Sequence, residues 1–151
     1  MRALIQRVSS ASVSTREGNV NSIDQGFCIL LGVGPNDTEE IAEKLWSKIS
    51  KLRIFEDQNG KTNLSLRDVS GAVLLVSQFT LYADCRKGNR PSFTKGASPD
   101  LANRLYEYFA QLVRDDGVEL KTGWFGACLL YTSPSPETLR HLVCRLLLEK
   151  K

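Results

Sequence analysis

Val73-Leu74-Leu75-Val76-Ser77-Gln78-Phe79-Thr80-Leu81 decides the fold. A short run of apolar residues that ends in polar ones is too brief for a helix and reads as a buried strand over 73–81. Phe27–Val33 has the same character and is broken by Gly34-Pro35-Asn36. Outward from these two runs, residues 2–8 and 11–15 are rich in β-branched and apolar types and read as strands, with a turn at Arg16-Glu17-Gly18-Asn19. Val20–Ile23 reads as a short strand ended by Asp24-Gln25-Gly26. Arg53–Phe55 and Val118–Lys121 read as two more, and Asp57-Gln58-Asn59-Gly60 is a turn.

Two helices lie between the strands. Asp37 or Thr38 caps the first, and Asp37-Thr38-Glu39-Glu40 resembles a capping box. Ile41, Leu45, Ile49 and Leu52 then recur at roughly helical spacing, with acids at the start and lysines at the end to suit the helix dipole. Ser98 caps the second helix, with Pro99 in its first turn. Leu101, Leu105, Tyr108, Phe109 and Leu112 form its apolar face, and Asp116-Gly117 ends it. The expected fold is α/β (α+β): a β-barrel-like mixed sheet, partly antiparallel, with two main helices packed outside. After the turn Tyr131–Pro136, Leu139, Leu142, Val143, Leu146 and Leu147 predict a tail helix over about 136–149.

Composition narrows the function classes. A chain of 151 residues, 42% hydrophobic and 25% charged, has the size and make-up of one globular domain. Its longest apolar run is far below the ~20 residues that span a bilayer. The start, Met1-Arg-Ala-Leu-Ile-Gln-Arg, lacks an apolar signal core, so a cytoplasmic location is expected. The cysteines, Cys28, Cys85, Cys128 and Cys144, form no C-x-x-C pair and match no zinc spacing. Free thiols and no metal are expected, with Cys28 buried in its apolar run. A single histidine, His141, leaves the first 140 residues without an imidazole base for a catalytic triad.

Two segments can carry chemistry. Ser77, Gln78 and Thr80 end the deciding run beside a basic loop, where polar groups at a strand end make a candidate site. The plainer reading gives Ser77 and Thr80 local hydrogen bonds and no further role. Arg86-Lys87-Gly88-Asn89-Arg90-Pro91-Ser92-Phe93 offers cations for phosphate, a glycine for close approach and an aromatic ring for a base. The plainer reading is a solvated loop. The net charge of +3 permits an RNA partner without demanding one. Glu56-Asp57 and Asp115-Asp116 read as solvated turns, not as acid/base pairs. Gly32-Val33-Gly34 is too short for a dinucleotide fingerprint.

Residues 1–127 closely resemble the D-aminoacyl-tRNA deacylases, once called D-tyrosyl-tRNA deacylases. The matching stretches are Met1-Arg-Ala-Leu-Ile-Gln-Arg-Val, Leu30-Leu-Gly-Val, Leu52-Arg-Ile-Phe-Glu, Asn63-Leu-Ser-Leu and Val76-Ser-Gln-Phe-Thr-Leu-Tyr-Ala. They continue through Arg86-Lys-Gly-Asn-Arg-Pro-Ser-Phe and Thr122-Gly-Trp-Phe-Gly-Ala. The resemblance implies a homodimer that takes the 3′ end of aminoacyl-tRNA. It implies hydrolysis of the ester to a D-amino acid, or to glycine mischarged on tRNA-Ala, with no cofactor. Ser77, Gln78, Phe79 and Thr80 would form the catalytic segment. Arg7, Arg86, Lys87, Arg90 and Phe93 would bind substrate and tRNA.

In the family Thr80 matches a threonine assigned as nucleophile; a second view gives the work to backbone N–H groups and the tRNA's own 2′-hydroxyl. A threonine needs a base to activate it, and no histidine precedes His141, so the second view fits better. The N–H groups near Gln78 and Phe79 would then hold the oxyanion.

The family continues beyond Ala127 with a strand and an Asn-x-Gly-Pro-Val-Thr motif. Its cis Gly-Pro bond reaches into the partner's pocket and excludes L-amino acids, and the arginine matched by Arg7 helps to fix it. Here the chain reads Cys128-Leu-Leu-Tyr-Thr-Ser-Pro-Ser-Pro-Glu, and its one Gly-Pro is Gly34-Pro35. The expected organisation is therefore a deacylase-like domain at 1–127 and an atypical tail at 128–151, foreign to the family, as a frameshift or adaptor read-through would leave it. Such a tail would lack the last core strand. Two other readings remain: a catalytically impaired tRNA-end binding module on the same scaffold, and a structural protein that dimerises through the tail helix.

Overall fold

The computed structural model describes residues 1–15, 17–86 and 88–126, and the backbone of strands Leu129–Thr132 and Val143–Leu147. In chain order the elements are β1 (Arg2–Val8), β2 (Ala11–Thr15), β3 (Val20–Ile23), β4 (Gly26–Gly32), α1 (Glu39–Ile49), β5 (Arg53–Glu56), β6 (Thr62–Ser65) and β7 (Ala72–Ser77). A 3-10 turn at Phe79–Tyr82 follows, then α2 (Pro99–Asp115), β8 (Leu120–Thr122), β9 (Leu129–Thr132) and β10 (Val143–Leu147).

The central sheet has the order β10-β1-β4-β7-β8. β1 pairs antiparallel with β4, bringing Ile5 opposite Ile29. β4 and β7 run parallel, with Ile29 opposite Leu75, and β7 and β8 run parallel, with Leu75 opposite Thr122. Parallel neighbours need a crossover, and α1 and α2 lie in the two crossovers. Side chains alternate across the central strands. Ile5, Phe27, Ile29, Leu31, Val73 and Leu75 face the helices and meet Leu45, Trp46, Ile49, Tyr106 and Phe109. Cys28, Leu74 and Val76 face the other way, where they cluster with Val8 of β1 and with Ala11, Val13 and Ile23 of the three-stranded sheet β3-β2-β9. Both faces of β4 and β7 are thus covered, which is why their sequences are continuously apolar. The expected mixed sheet with two outer helices is present; among the described strands the pairings form three sheets without a closed ring.

Several local expectations differ from the structure. The strand expected over 73–81 stops at Ser77. The Gln78 N–H donates to the Leu31 carbonyl at 2.8 Å, but β4 ends one residue later, so no ladder partner remains. The chain instead closes a turn through Leu81 N–H on the Gln78 carbonyl at 3.3 Å. The capping box is not made. Thr38 is the N-cap without a side-chain bond, because the Asp37 carboxylate is engaged elsewhere: it accepts from Gly34 N–H at 2.6 Å and pairs with the Met1 ammonium. Ser98 does cap α2, accepting from Leu101 N–H at 3.5 Å. The buried face of α2 also takes in Tyr106, Ala110 and Val113, while Tyr108 and Leu112 sit at its margin. β6 was not foreseen; the Asp57–Gly60 turn joins it to β5 as a hairpin. Cys28 is buried as expected, and Cys85 is exposed.

The tail is corrected where it is described. Residues 143–147, expected within a helix, form β10 antiparallel to β1, and β9 extends the three-stranded sheet beside β2. β1 pairs with β4 on one side only, and its other row of N–H and C=O groups favours an added strand over an isolated helix. The expected shortage of a last strand is corrected in the same way. The remainder of the expected tail helix, and His141, lie outside the described residues.

Two packing contacts give stability predictions. Gly26 pairs with Ala72, and a Cβ on it would stand 1.8 Å from the Ala72 carbonyl oxygen. Gly26→Ala is expected to cost about 2–3 kcal/mol by forcing β4 from β7, read as a lowered urea midpoint. The buried Tyr106 hydroxyl donates to the Leu75 carbonyl at 2.8 Å, and burial, then the Glu107 charge, push its pKa up. Tyr106→Phe is expected to cost about 1 kcal/mol. A raised folded pKa keeps the phenol's contribution intact below the ordinary value near 10 and loses it as pH rises beyond. The wild-type stability should therefore fall more steeply above about pH 10 than that of Tyr106→Phe; equal slopes would count against this.

Candidate functional site

Three parallel strands, β4, β7 and β8, end on the same side of the sheet, and the crevice beyond strand ends is where an open α/β sheet takes ligands. A cavity of about 560 Å³ opens there. Its floor is Leu30, Leu31, Val76 and Ser77 from β4 and β7. Pro99 and Ala102 of the first turn of α2 form one wall, held by the Ala97 N–H on the Val33 carbonyl at 3.0 Å. Trp124, Phe125 and Gly126 form another, after Gly123 N–H caps the sheet on the Leu75 carbonyl at 2.8 Å. Gln78, Phe79 and Phe93 stand at the opening. The polar lining side chains are Ser77 and Gln78, and none of the lining residues is titratable.

The four residues expected to be catalytic are brought together here, with a division of labour that sequence did not reveal. Ser77 and Gln78 line the cavity. The Thr80 hydroxyl lies beside it and accepts from the Gln78 side-chain amide. No carboxylate or imidazole contacts that hydroxyl among the described residues, so none of these is placed to activate it. The N–H of Gln78, expected to be available for an oxyanion, is taken by the Leu31 carbonyl. The N–H groups of Phe79 and Thr80 find no acceptor among the described residues, because they are the first two of the 3-10 turn. Two adjacent free donors beside an apolar cavity suit an oxygen that gains negative charge.

The basic loop is less cationic than its sequence suggests. Asp84, which precedes it, accepts from Arg86 at 2.8 Å and 2.9 Å and pairs with Lys95 at 2.8 Å. Hydrogen bonds from Arg86 and then from Lys95 hold the Asp84 carboxyl well below the usual carboxylate range. Asp84 and Ser92 also exchange backbone bonds at 2.8 Å and 3.0 Å, which pins the loop. Arg86 and Lys95 therefore shape the loop as well as charge it. Arg90 is exposed and makes no ion pair among the described residues, and Lys87 lies outside them. Phe93 is brought to the cavity: its ring meets Phe79 edge-on, with centroids 5.4 Å apart, and both rings are exposed.

Arg7 is not brought to this cavity by its own chain. It donates to the Ile54 carbonyl at 2.9 Å and pairs with Glu56 at 3.3 Å. Its register partner on β4 is Phe27, at the far end of that strand from Leu31. Trp124 and Phe125 line the cavity although sequence reasoning does not single them out as site residues. Two aromatics between glycines directly after a short strand were the available signal.

Comparison with known proteins fits this geometry. A sequence model of the family described as D-Tyr-tRNA(Tyr) deacylase matches residues 4–132. The D-aminoacyl-tRNA deacylase of Thermotoga petrophila is 54% identical over 127 residues, covering 84% of this chain and 85% of that protein. That of Bacillus pumilus is 51% identical over 141 residues, covering 92% and 96%. Among solved structures, one described as a c-Myc DNA unwinding element binding protein superposes with a TM-score of 0.81 at 36% identity, covering 88% of this chain and 91% of its own. A probable eukaryotic D-amino acid tRNA deacylase shares the fold with a TM-score of 0.76 at 17% identity, over 88% and 94%. With a matched segment running from β1 into β9 and relatives at half identity over most of their length, the chain belongs to the D-Tyr-tRNA(Tyr) deacylase family.

Proposed function

We propose that this chain hydrolyses the ester that joins a D-amino acid to the 3′-terminal adenosine of tRNA. The observation that carries the reading is the pair of N–H groups on Phe79 and Thr80 that have no acceptor among the described residues, beside a cavity whose described lining holds no titratable side chain, in a chain of this family. The ester carbonyl oxygen sits against these donors, which strengthen as it becomes an oxyanion. With no base among the described lining residues, the ribose 2′-hydroxyl directs the attacking water. The water oxygen bonds to the carbonyl carbon, the bond from that carbon to the ribose 3′-oxygen breaks, and the proton given up by water passes to the 3′-oxygen. The products are the free D-amino acid and tRNA with its 3′-hydroxyl restored.

The Phe79–Phe93 pair offers a stacking surface for the terminal base, and Arg86, Lys87 and Arg90 offer charge to the phosphates of the 3′ end. The resemblance supports a homodimer, action in the cytoplasm where tRNA is charged, and glycyl-tRNA as a second substrate. We also read a working domain at 1–127 and an atypical tail at 128–151, of which the family model matches residues 128–132. No metal takes part in this scheme.

The test is hydrolysis of D-tyrosyl-tRNA beside L-tyrosyl-tRNA by the chain as it stands. The D ester is expected to be cleaved and the L ester spared. Cleavage of neither by a folded protein would support the impaired binding module instead. Thr80→Ala keeps the backbone donor and is expected to lower kcat by no more than about tenfold, the scale of one lost hydrogen bond; complete loss in a folded variant would restore the nucleophile assignment. Phe93→Ala is expected to raise KM about tenfold with kcat little changed, as loss of one base–aromatic stack would do.

A further inference from the structure

Gly32-Val33-Gly34, set aside above as a dinucleotide motif, lies directly under the turn that carries the two free N–H groups. A Cβ on Gly32 would stand 3.0 Å from the Gln78 carbonyl oxygen, 3.1 Å from the Leu81 Cβ and 3.3 Å from the Tyr82 ring. A Cβ on Gly34 would stand 2.7 Å from the Tyr82 hydroxyl oxygen and 3.0 Å from its Cζ. Neither glycine has a positive φ, so what each supplies is space. From the opposite side Arg2 donates to the Leu81 carbonyl at 2.8 Å, and its guanidinium lies 4.5 Å from the centroid of the Tyr82 ring. The Tyr82 hydroxyl donates to Asp37 at 3.4 Å, and that same carboxylate oxygen accepts Gly34 N–H at 2.6 Å. Burial first, and the Asp37 charge second, push the Tyr82 pKa up, so the phenol remains the donor. None of Arg2, Gly32, Gly34, Asp37 and Tyr82 lines the cavity.

We propose that Arg2, Gly32, Gly34 and Tyr82 are positioning residues that seat the 3-10 turn and so set the direction of the Phe79 and Thr80 N–H groups. The inference rests on the deacylase reading for its kinetic consequence, though not for its geometry. The turn spans only Phe79–Tyr82, with Tyr82 its last residue, so a shift of the tyrosine ring or of the Leu81 carbonyl rotates the whole turn. Misplacement by about 1 Å of groups that meet a transition state can cost a hundredfold in rate. Lysine at position 2 keeps the charge but cannot both stack on the ring and donate from a planar fork.

Arg2→Gln and Gly34→Ala test this, with kcat and KM for D-tyrosyl-tRNA, thermal midpoints, and the amide proton–nitrogen resonances of Phe79 and Thr80. Both variants are expected to lower kcat about tenfold or more with KM within about twofold, and to shift the two amide resonances. Unmoved amide resonances in a folded variant, or a rise in KM at constant kcat, would overturn the proposal. If wild-type protein cleaves no D-aminoacyl-tRNA, the deacylase reading fails and the amide resonances still decide the positioning role. If Gly34→Ala does not fold, Arg2→Gln, a change at a partly exposed side chain, carries the test alone.

Discussion

The parallel pairing of β4 with β7 is the constraint on which the rest depends. Both strands are covered on both faces, by helices on one side and by the three-stranded sheet on the other. At their N-terminal ends Gly26 lets the Ala72 carbonyl come close, and at their C-terminal ends Leu31 takes the Gln78 N–H as the last bond of the ladder. That last bond engages the Gln78 N–H, and the next two N–H groups have no acceptor among the described residues. The cavity, the turn and the free donors all follow from where this one pair of strands stops.

The surroundings of the turn hold few ionic groups among the described residues. The cavity lining holds a serine, a glutamine and otherwise apolar or aromatic groups. Charge is kept at its margins, in Arg2 against Tyr82 and in Asp84 between Arg86 and Lys95. The ion pairs of Asp84 are exposed and contribute little to stability; their effect is to fix the loop that delivers Phe93. Low polarity inside and fixed dipoles at the edge are the conditions under which two backbone donors have most effect on a developing oxyanion.

Much of the fold was legible because its signals are local. The β-branched and apolar content of residues 2–8 and 11–15, the apolar runs at 27–33 and 73–77, and the Ser98-Pro99 start of α2 each form the expected element. The failures have physical causes. A hydrophobic run shows that a strand is buried but not where its neighbour ends, so the strand was carried through Phe79 and Thr80 into what is a turn. Asp37 resembles a cap in sequence, yet Gly34 N–H and the Met1 ammonium compete for it and win. The helical spacing over 139–147 yields, at 143–147, to the unpaired edge of β1. β6 is short and polar, and only its hairpin partner makes it a strand.

By itself the sequence determined the size of the domain, the mixed class, the two helices, the lack of an imidazole before residue 141 and, through Ser77–Thr80 and Arg86–Phe93, which segments to suspect. Motif matches name residues because they preserve identity and order. They do not say which atoms are free. Only the tertiary structure decided that the Gln78 N–H is spent while those of Phe79 and Thr80 have no acceptor among the described residues, that Asp84 engages Arg86 and Lys95, and that Arg7 lies away from the cavity while Arg2 donates to the turn. Hydrogen-bond partners and close approaches join residues far apart in the chain, and no spacing along it records them.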